Sequence, residues 1–257
     1  MNGIDWLSTR WRKAGLKNGD TVLLHSNVVR TLALLMKEGL NPSLDDVLDS
    51  FLAAVGSSGT LLLPLFNFEF TNKVTFDILN TPSHMGALTE VSRKRKNSIR
   101  TGHPIYSFAV IGNKSEMFIG LDNYSGYGED SPFGILRKLN GKIAILDIED
   151  NKCMTFYHHV EELCQVPYRY SKKFTGKYID YLGLETERTY AIYVRNLEMG
   201  VETSVNRMGE LLWKENLYIG ERPNINCGLR VGDANKIFKF VKATLDQGNA
   251  LENLYVI

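Results

Sequence analysis

Four short apolar runs punctuate the first two thirds of the chain, each ending at a polar residue or a turn. They are Thr21-Val22-Leu23-Leu24-His25, Thr60-Leu61-Leu62-Leu63-Pro64, Ser107-Phe108-Ala109-Val110-Ile111 and Lys142-Ile143-Ala144-Ile145-Leu146. They are aliphatic and do not alternate with polar residues, as expected of strands covered on both faces. Helical patterns lie between and after them. Ser43 to Val55 opens with Ser43-Leu44-Asp45-Asp46 and carries Leu44, Val47, Leu48, Phe51 and Leu52 on one side. Gly86 to Lys96, Ser131 to Leu139 and Thr155 to Cys164 read as further helices. Alternating strands and helices predict an α/β fold with a central, mostly parallel sheet and helices on both faces.

The texture changes after Pro167. Tyr178-Ile179-Asp180-Tyr181-Leu182 and Tyr190-Ala191-Ile192-Tyr193-Val194 have the aromatic, alternating look of half-exposed antiparallel strands. Helices follow over about 205–215 and about 233–245, the second stopping at Asp246-Gln247-Gly248. With no repeat and no low-complexity linker, 1–257 reads as a single domain: an α/β core over 1–167 and an antiparallel and helical elaboration over 168–257.

Composition narrows the function classes. A chain of 257 residues, 44% of them hydrophobic, can bury a full core. It has no apolar run of the length a membrane span needs, and its start lacks the apolar core of a secretory leader. Cys153, Cys164 and Cys227 are an odd number at irregular spacing, which is neither a disulfide framework nor a metal site. A cytoplasmic location is expected. Thirty basic against 29 acidic residues leave a net charge of +1, and the densest basic run, Arg93-Lys94-Arg95-Lys96, reads as a solvated helix end rather than a nucleic-acid surface.

The residues richest in chemistry are Thr155-Phe156-Tyr157-His158-His159-Val160-Glu161-Glu162, running on to Val166-Pro167-Tyr168-Arg169. Residues three apart share a helix face, so His158 and Glu161 can be aimed at one point. A histidine that accepts a proton and a carboxylate that steadies the imidazolium suit activation of a nucleophile. With Thr155 as N-cap, His158 falls in the first turn, where the helix dipole lowers its pKa while Glu161 raises it. His159 and Glu162 repeat the spacing but lie about 100° round the helix, so both pairs cannot serve one site. No metal is expected, because the run lacks the H-E-x-x-H spacing of a zinc helix. Ligands of open α/β sheets bind at carboxyl ends of strands, which here carry His25-Ser26-Asn27, Phe66-Asn67, Asp147 and the start of the 155–164 helix.

The order of these segments resembles the aminoglycoside 3-N-acetyltransferase family. Leu23-Leu24-His25-Ser26 resembles the family's first strand and serine turn. Gly59-Thr60-Leu61-Leu62-Leu63-Pro64-Leu65-Phe66-Asn67 is similar to its G-T-L-x-x-P-x-F segment. Met85 to Arg93 resembles M-G-x-L-x-E-x-x-R, Arg100 to Phe108 resembles R-S-x-H-P-x-H-S-F, and Asp130-Ser131-Pro132 matches D-S-P. Thr155, His158 and Glu161 match T-x-x-H-x-x-E. The likeness covers about residues 18 to 170. Tyr106 stands where the family usually has histidine, and Asp147 where it usually has glycine.

The resemblance implies transfer of an acyl group from acyl-coenzyme A to an amine, with His158 as base, Glu161 as its orienting partner and no metal. His25, Ser26, Asn27 and Ser107 become candidates for coenzyme A contacts: Ser26 and Asn27 through backbone N–H groups at phosphates, Ser107 at a pantetheine amide or the developing oxyanion. His103, Tyr106, Asp147, Phe66 and Asn67 become candidates for acceptor contacts. Plainer readings stand beside these: a loop histidine satisfied by hydrogen bonds, a strand-start hydroxyl for Ser107, a helix cap for Asp147.

The resemblance also implies a small-molecule amino sugar as the acceptor. The charge balance and the tyrosines at 168, 170, 178, 181, 190 and 193 favour a nucleotide-linked deoxyamino sugar for surface polysaccharide over a polycationic aminoglycoside. An aminoglycoside acetyltransferase is the alternative, and a non-catalytic coenzyme A- or nucleotide-binding relative is the alternative of another class. A serine hydrolase using Ser26 ranks below these, since no G-x-S-x-G surrounds it. The oligomeric state, a homo-oligomer included, is open.

Overall fold

The four apolar runs are strands, and side-chain alternation explains why they needed no polar positions. The computed structural model describes residues 2–223 and 228–257. Leading to the first helix pair are α1 (Gly3–Lys13), β1 (Thr21–Ser26), α2 (Val29–Lys37) and α3 (Leu44–Val55). Next come β2 (Thr60–Pro64), β3 (Phe76–Asp77), α4 (Ala87–Lys94), β4 (Ile99–Arg100) and β5 (Phe108–Gly112). Then follow α5 (Pro132–Lys138), β6 (Lys142–Leu146), α6 (Asp150–Cys153) and α7 (Phe156–Leu163). One side of the sheet sends Val22, Leu24, Leu61, Leu63 and Ala144 into a cluster with Leu7 and Trp11 of α1 and Val47, Leu48 and Phe51 of α3. The other sends Leu23, Leu62, Val110, Ile143 and Ile145 into a cluster with Leu136 of α5 and Val160 of α7. Both faces are covered, so every strand position pays for itself in buried apolar area.

Local signals set the helix ends. Ser43 and Asp46 form a reciprocal capping box at the start of α3. Trp11 stacks on Phe51 at 4.7 Å and donates its indole N–H to Ser50 Oγ at 2.8 Å, so α1 is bolted to α3 without an unsatisfied buried donor. The basic run at 93–96 closes α4: Arg93 pairs with Glu90, and Arg95 with Asp45 and Asp49 of α3.

Beyond Pro167 the chain forms β7 (Arg169–Ile179), β8 (Glu185–Arg195), β9 (Glu202–Thr203), α8 (Asn206–Lys214), β10 (Tyr218–Gly220), β11 (Leu229–Asp233), α9 (Ala234–Asp246) and β12 (Tyr255–Val256). β7 and β8 are an antiparallel hairpin in register from Arg169↔Arg195 to Ile179↔Glu185, longer than the sequence pattern indicated, with Tyr181 and Leu182 in its turn. β3 adds to it in parallel.

The central sheet has the order β10-β11-β6-β1-β2-β5-β4. β6, β1 and β2 pair in parallel at its centre. β5 and β11 run against them, and β4 and β10, paired antiparallel to those two, return to the majority direction. The division at 167 is therefore not a division of the fold: β10 and β11 come from the last third yet extend the central sheet beside β6. Cys153 and Cys164 are free thiols; Cys227 lies outside the described residues. Among those described, no helix is long and apolar enough to cross a membrane.

Candidate active site

α6 and α7 follow one another almost without a break, and this changes how the histidine helix begins. Thr155 has helical backbone angles (φ −55°, ψ −23°) and makes no side-chain cap, contrary to the expected N-cap. Its position is taken up in the junction with α6, where a capping residue's extended conformation is not available. His158 is still the third residue of α7. The helix ends after Leu163, Gln165 takes a left-handed conformation (φ 50°), and the chain turns back so that Tyr168 and Arg169 lie against Glu161.

The resulting cluster is enclosed and ordered. His158 Nδ1 lies 2.7 Å from Glu161 Oε2. Arg169 Nε forms an ion pair with the same oxygen at 2.8 Å, and Tyr168 donates its hydroxyl to Glu161 Oε1 at 2.9 Å. Arg169 also donates to the Tyr193 carbonyl and to Thr203 Oγ1, both at 3.2 Å. The Glu161 side chain is 1% exposed and that of His158 17%. Burial opposes ionisation of Glu161, but the His158 hydrogen bond, Arg169 and Tyr168 together hold its pKa below the ordinary value. An ionised Glu161 needs a donor at His158 Nδ1, which leaves Nε2 as the ring nitrogen with a free lone pair. Burial, with Arg169 adding to it, lowers the His158 pKa below 6.5, against the upward pull of Glu161. The histidine is thus neutral at pH 7 and able to accept a proton.

His158 opens onto a cleft of about 540 Å³. Tyr106, Tyr127 and Phe68 form one wall, and the β7–β8 hairpin, with Tyr170, Lys172, Ile192 and Arg195, the other. The Tyr127 ring meets the imidazole edge-on at 5.4 Å and packs against Tyr106 at 4.7 Å. His159 points away into the Phe133, Phe156 and Phe238 rings, its Nδ1 2.6 Å from the Tyr127 carbonyl. Glu162 accepts from Ser125 Oγ at 2.8 Å. Only the 158–161 pair faces the cleft.

Of the acceptor candidates from the sequence, Tyr106 alone lines this cleft. His103 is fully buried: its Nδ1 accepts the N–H groups of Ile105 and Tyr106, and its Nε2 lies 3.3 Å from the Ala191 carbonyl. Burial pushes its pKa down to about 3. Asn67 is spent on the Glu69 N–H, the Pro82 carbonyl and His84. Phe66 is a core ring against Tyr106, Phe108 and Phe133. Asp147, in a left-handed conformation (φ 52°), accepts from the Gly228 N–H at 3.0 Å and lies 3.7 Å from Arg30. None of these four is among the residues that line the cleft beside His158.

The coenzyme candidates divide in the same way. Ser107 is buried between Arg100 Nε (3.1 Å) and the Leu65 carbonyl, so its hydroxyl is not presented to a ligand. His25 is buried, its pKa lowered to about 3 by burial and then by Arg230. Ser26 and Asn27 do stand at the β1–α2 turn. The Ser26 hydroxyl is shielded and has no hydrogen-bond partner among the described residues, Asn27 Oδ1 accepts from the Val29 N–H, and Arg30 is half exposed beside them. Such a turn, at a helix N-terminus with an orphan hydroxyl and a cation, has the donors an anionic cofactor arm needs. Among the described residues no group of three His, Cys, Asp or Glu side chains is arranged for a metal.

Sequence reasoning gave Arg169 and Tyr168 no part in the His158–Glu161 pair, and it missed Tyr127 and Phe68. The first two follow the motif directly, but only the left-handed turn at Gln165 folds them back onto it. Arg169→Met removes a cation that lowers the His158 pKa and leaves the Glu161 charge less shielded, and both changes raise that pKa. The acid limb of the kcat/KM–pH profile, below pH 6.5 in the wild type, is expected to move to higher pH. A profile with an unmoved limb would show that Arg169 does not set the proton affinity of His158.

A family model for aminoglycoside 3-N-acetyltransferase matches residues 23–246. Aminoglycoside N(3)-acetyltransferase VII of Streptomyces paromomycinus is 27% identical over 173 residues, covering 60% of this chain and 58% of that protein. Aminoglycoside N(3)-acetyltransferase IX of Micromonospora chalcea is 26% identical over 175 residues, covering 59% of each. The chain thus spans just under three fifths of the length of these relatives. Among solved structures, the binary complex of AAC-IIIb with CoASH has a TM-score of 0.78 at 20% identity, covering 95% of this chain and 96% of that one. The YokD protein from Bacillus subtilis also has 0.78, at 18% identity, covering 97% and 95%. At such identities these likenesses establish the fold. With the family model matched over most of its length, the chain belongs to the aminoglycoside 3-N-acetyltransferase family.

Proposed function

We propose that this protein transfers an acyl group from acyl-coenzyme A to the amino group of an amino sugar, with His158 as general base. The observation that carries the reading is the His158–Glu161–Arg169 cluster at the wall of a cleft in a chain of this family. An ammonium has no lone pair, so the amine must be neutral when it attacks the thioester carbonyl. As the C–N bond forms, His158 Nε2 takes the amine proton, and Glu161, ionised and fixed by Arg169 and Tyr168, stabilises the imidazolium. The C–S bond then breaks. Coenzyme A leaves as a thiolate, a good leaving group because thiol pKa values lie near about 8.5, and the imidazolium proton returns to sulfur or solvent. The coenzyme's phosphate-bearing arm is assigned to the β1–α2 turn at Ser26, Asn27 and Arg30.

The relatives are named for aminoglycosides, and an aminoglycoside is the acceptor these comparisons favour. A second reading, a nucleotide-linked deoxyamino sugar for surface polysaccharide, is favoured by one observation: Phe68 and Tyr170, 42% and 46% exposed, offer ring faces at the cleft that suit a planar base. The test follows thiol release from acetyl-coenzyme A across a panel of aminoglycosides, free amino sugars and nucleotide-linked amino sugars. Amine-dependent release is expected for at least one class. Release at the buffer rate with every amine would leave a coenzyme A-binding relative without catalysis.

A further inference from the structure

The second histidine–carboxylate pair of α7 faces the loop that carries Tyr127. On one side that loop is fixed by β8: the Gly126 N–H donates to the Ala191 carbonyl at 3.0 Å, and the Ala191 N–H to the Tyr124 carbonyl at 2.9 Å. On the other side α7 holds it. Ser125 Oγ donates to Glu162 Oε2 at 2.8 Å, and the Tyr127 carbonyl lies 2.6 Å from His159 Nδ1. A carbonyl only accepts, so His159 carries its proton on Nδ1. Its Nε2 is buried without a hydrogen-bond partner among the described residues, beside the rings of Phe133, Phe156 and Phe238. Burial lowers the His159 pKa to about 4, so the ring is neutral at pH 7 and keeps this tautomer. His158, one residue earlier, meets the ring of the same tyrosine edge-on at 5.4 Å. Consecutive histidines thus grip one residue, His159 by its backbone and His158 by its side chain.

We propose that His159 and Glu162 are positioning residues for the acyl transfer, holding Tyr127 and Ser125 so that the Tyr127 ring shields the His158 imidazole. The proposal rests on the reading of His158 as the base. The groups that act on His158 are Glu161 from its own helix, Arg169 from β7 and Tyr127 from the loop. Burial is the largest influence on the His158 pKa and lowers it; Arg169 lowers it further, and Glu161 raises it. The Tyr127 ring supplies part of that burial and brings no charge. A displaced ring admits water to the imidazole, which raises the pKa toward 6.5 and loosens the aim of Nε2 at the amine. His159 and Glu162 do not line the cleft, so their influence on the reaction runs through Tyr127.

The test combines Ser125→Ala, which removes the donor to Glu162, with His159→Phe, which keeps an aromatic ring among aromatic neighbours and removes the donor to the Tyr127 carbonyl. The His158 pKa is read by NMR titration of the imidazole nitrogens, assigned through the signal that His158→Ala loses. This readout needs no turnover, so it answers even if no amine is acylated. The double variant is expected to raise the His158 pKa toward 6.5 and to lower kcat by about tenfold, with the KM for acetyl-coenzyme A unchanged. Ser125→Ala alone, at a half-buried site, is expected to move both in the same direction and serves if the double variant does not fold. Made in a Tyr127→Ala protein, the same substitutions are expected to change neither quantity further, since groups that act through one another are non-additive. Glu162→Gln keeps an oxygen for Ser125 and should match the wild type, whereas Glu162→Ala should follow Ser125→Ala. A His158 pKa that does not move in the folded variants overturns the proposal. So do equal effects with and without the Tyr127 ring, which would make these bonds general supports of the fold.

Discussion

His158→Ala is expected to lower kcat for amine-dependent thiol release by about 10²- to 10⁴-fold, the range of a positioned general base. The reasoning runs through the three groups behind the imidazole. Glu161 takes up Nδ1, Arg169 and Tyr168 hold Glu161, and the ring edge stands against Tyr127. Among the described residues that line the cleft there is no second histidine and no carboxylate, and burial raises the pKa of Tyr106 and Tyr127. The loss should be greatest near neutral pH and smaller at high pH, where more of the amine is already deprotonated. Glu161→Gln keeps an oxygen for the Nδ1 proton and should cost less than His158→Ala. A His158→Ala protein that folds normally and turns over within about threefold of wild type would end the assignment.

Asp150→Ala is expected to destabilise the fold by about 3–5 kcal/mol, the usual result of removing one partner of a buried ion pair. Asp150 Oδ1 accepts from Arg230 at 2.6 Å, and Oδ2 accepts the hydroxyls of Tyr157 at 2.8 Å and Tyr218 at 2.9 Å. Arg230 is 1% exposed, and its Nε and Nη1 have no hydrogen-bond partner among the described residues, so alanine at 150 strands a buried cation and two buried hydroxyls. Refilling the space is hard, because α8 closes over it: a Cβ on Gly209 would lie 2.6 Å from the Asp150 carboxyl carbon. For a chain of this size the cost corresponds to a fall in Tm of roughly 6–20 °C, readable by calorimetry. A variant melting within about 2 °C of wild type would mean that the cluster contributes little.

The parts legible in the sequence were those fixed by short-range patterns. The four strands have apolar side chains on both faces, and Ser43 with Asp46 announces α3 by itself. His158 and Glu161 meet because three residues is almost a helical turn. The rest depended on groups brought from a distance. Arg169 becomes part of the site through one left-handed residue, Gln165. Tyr127 arrives from a loop, and the charged outer positions of Ser171-Lys172-Lys173 hide how far β7 extends. His103, Asn67 and Ser107 have partners within the protein for a physical reason: buried loops leave backbone groups that polar side chains must satisfy. A side chain with hydrogen-bonding capacity at a strand end serves the fold as readily as a ligand.

The position of β11 bears on how the chain is made. It seals β6, yet the Arg230 and Asp150 that join the two ends of this seam are 80 residues apart in sequence. Until residues 229–233 emerge from the ribosome, Ile143-Ala144-Ile145-Leu146 is an unfinished, fully apolar sheet edge with a row of unpaired N–H and C=O groups. Contacts of such long range close late and slowly. β11 thus acts as a stopper against strand-to-strand association of incomplete chains, and a chain halted before it would present the cell with an aggregation template beside an intact His158–Glu161 pair.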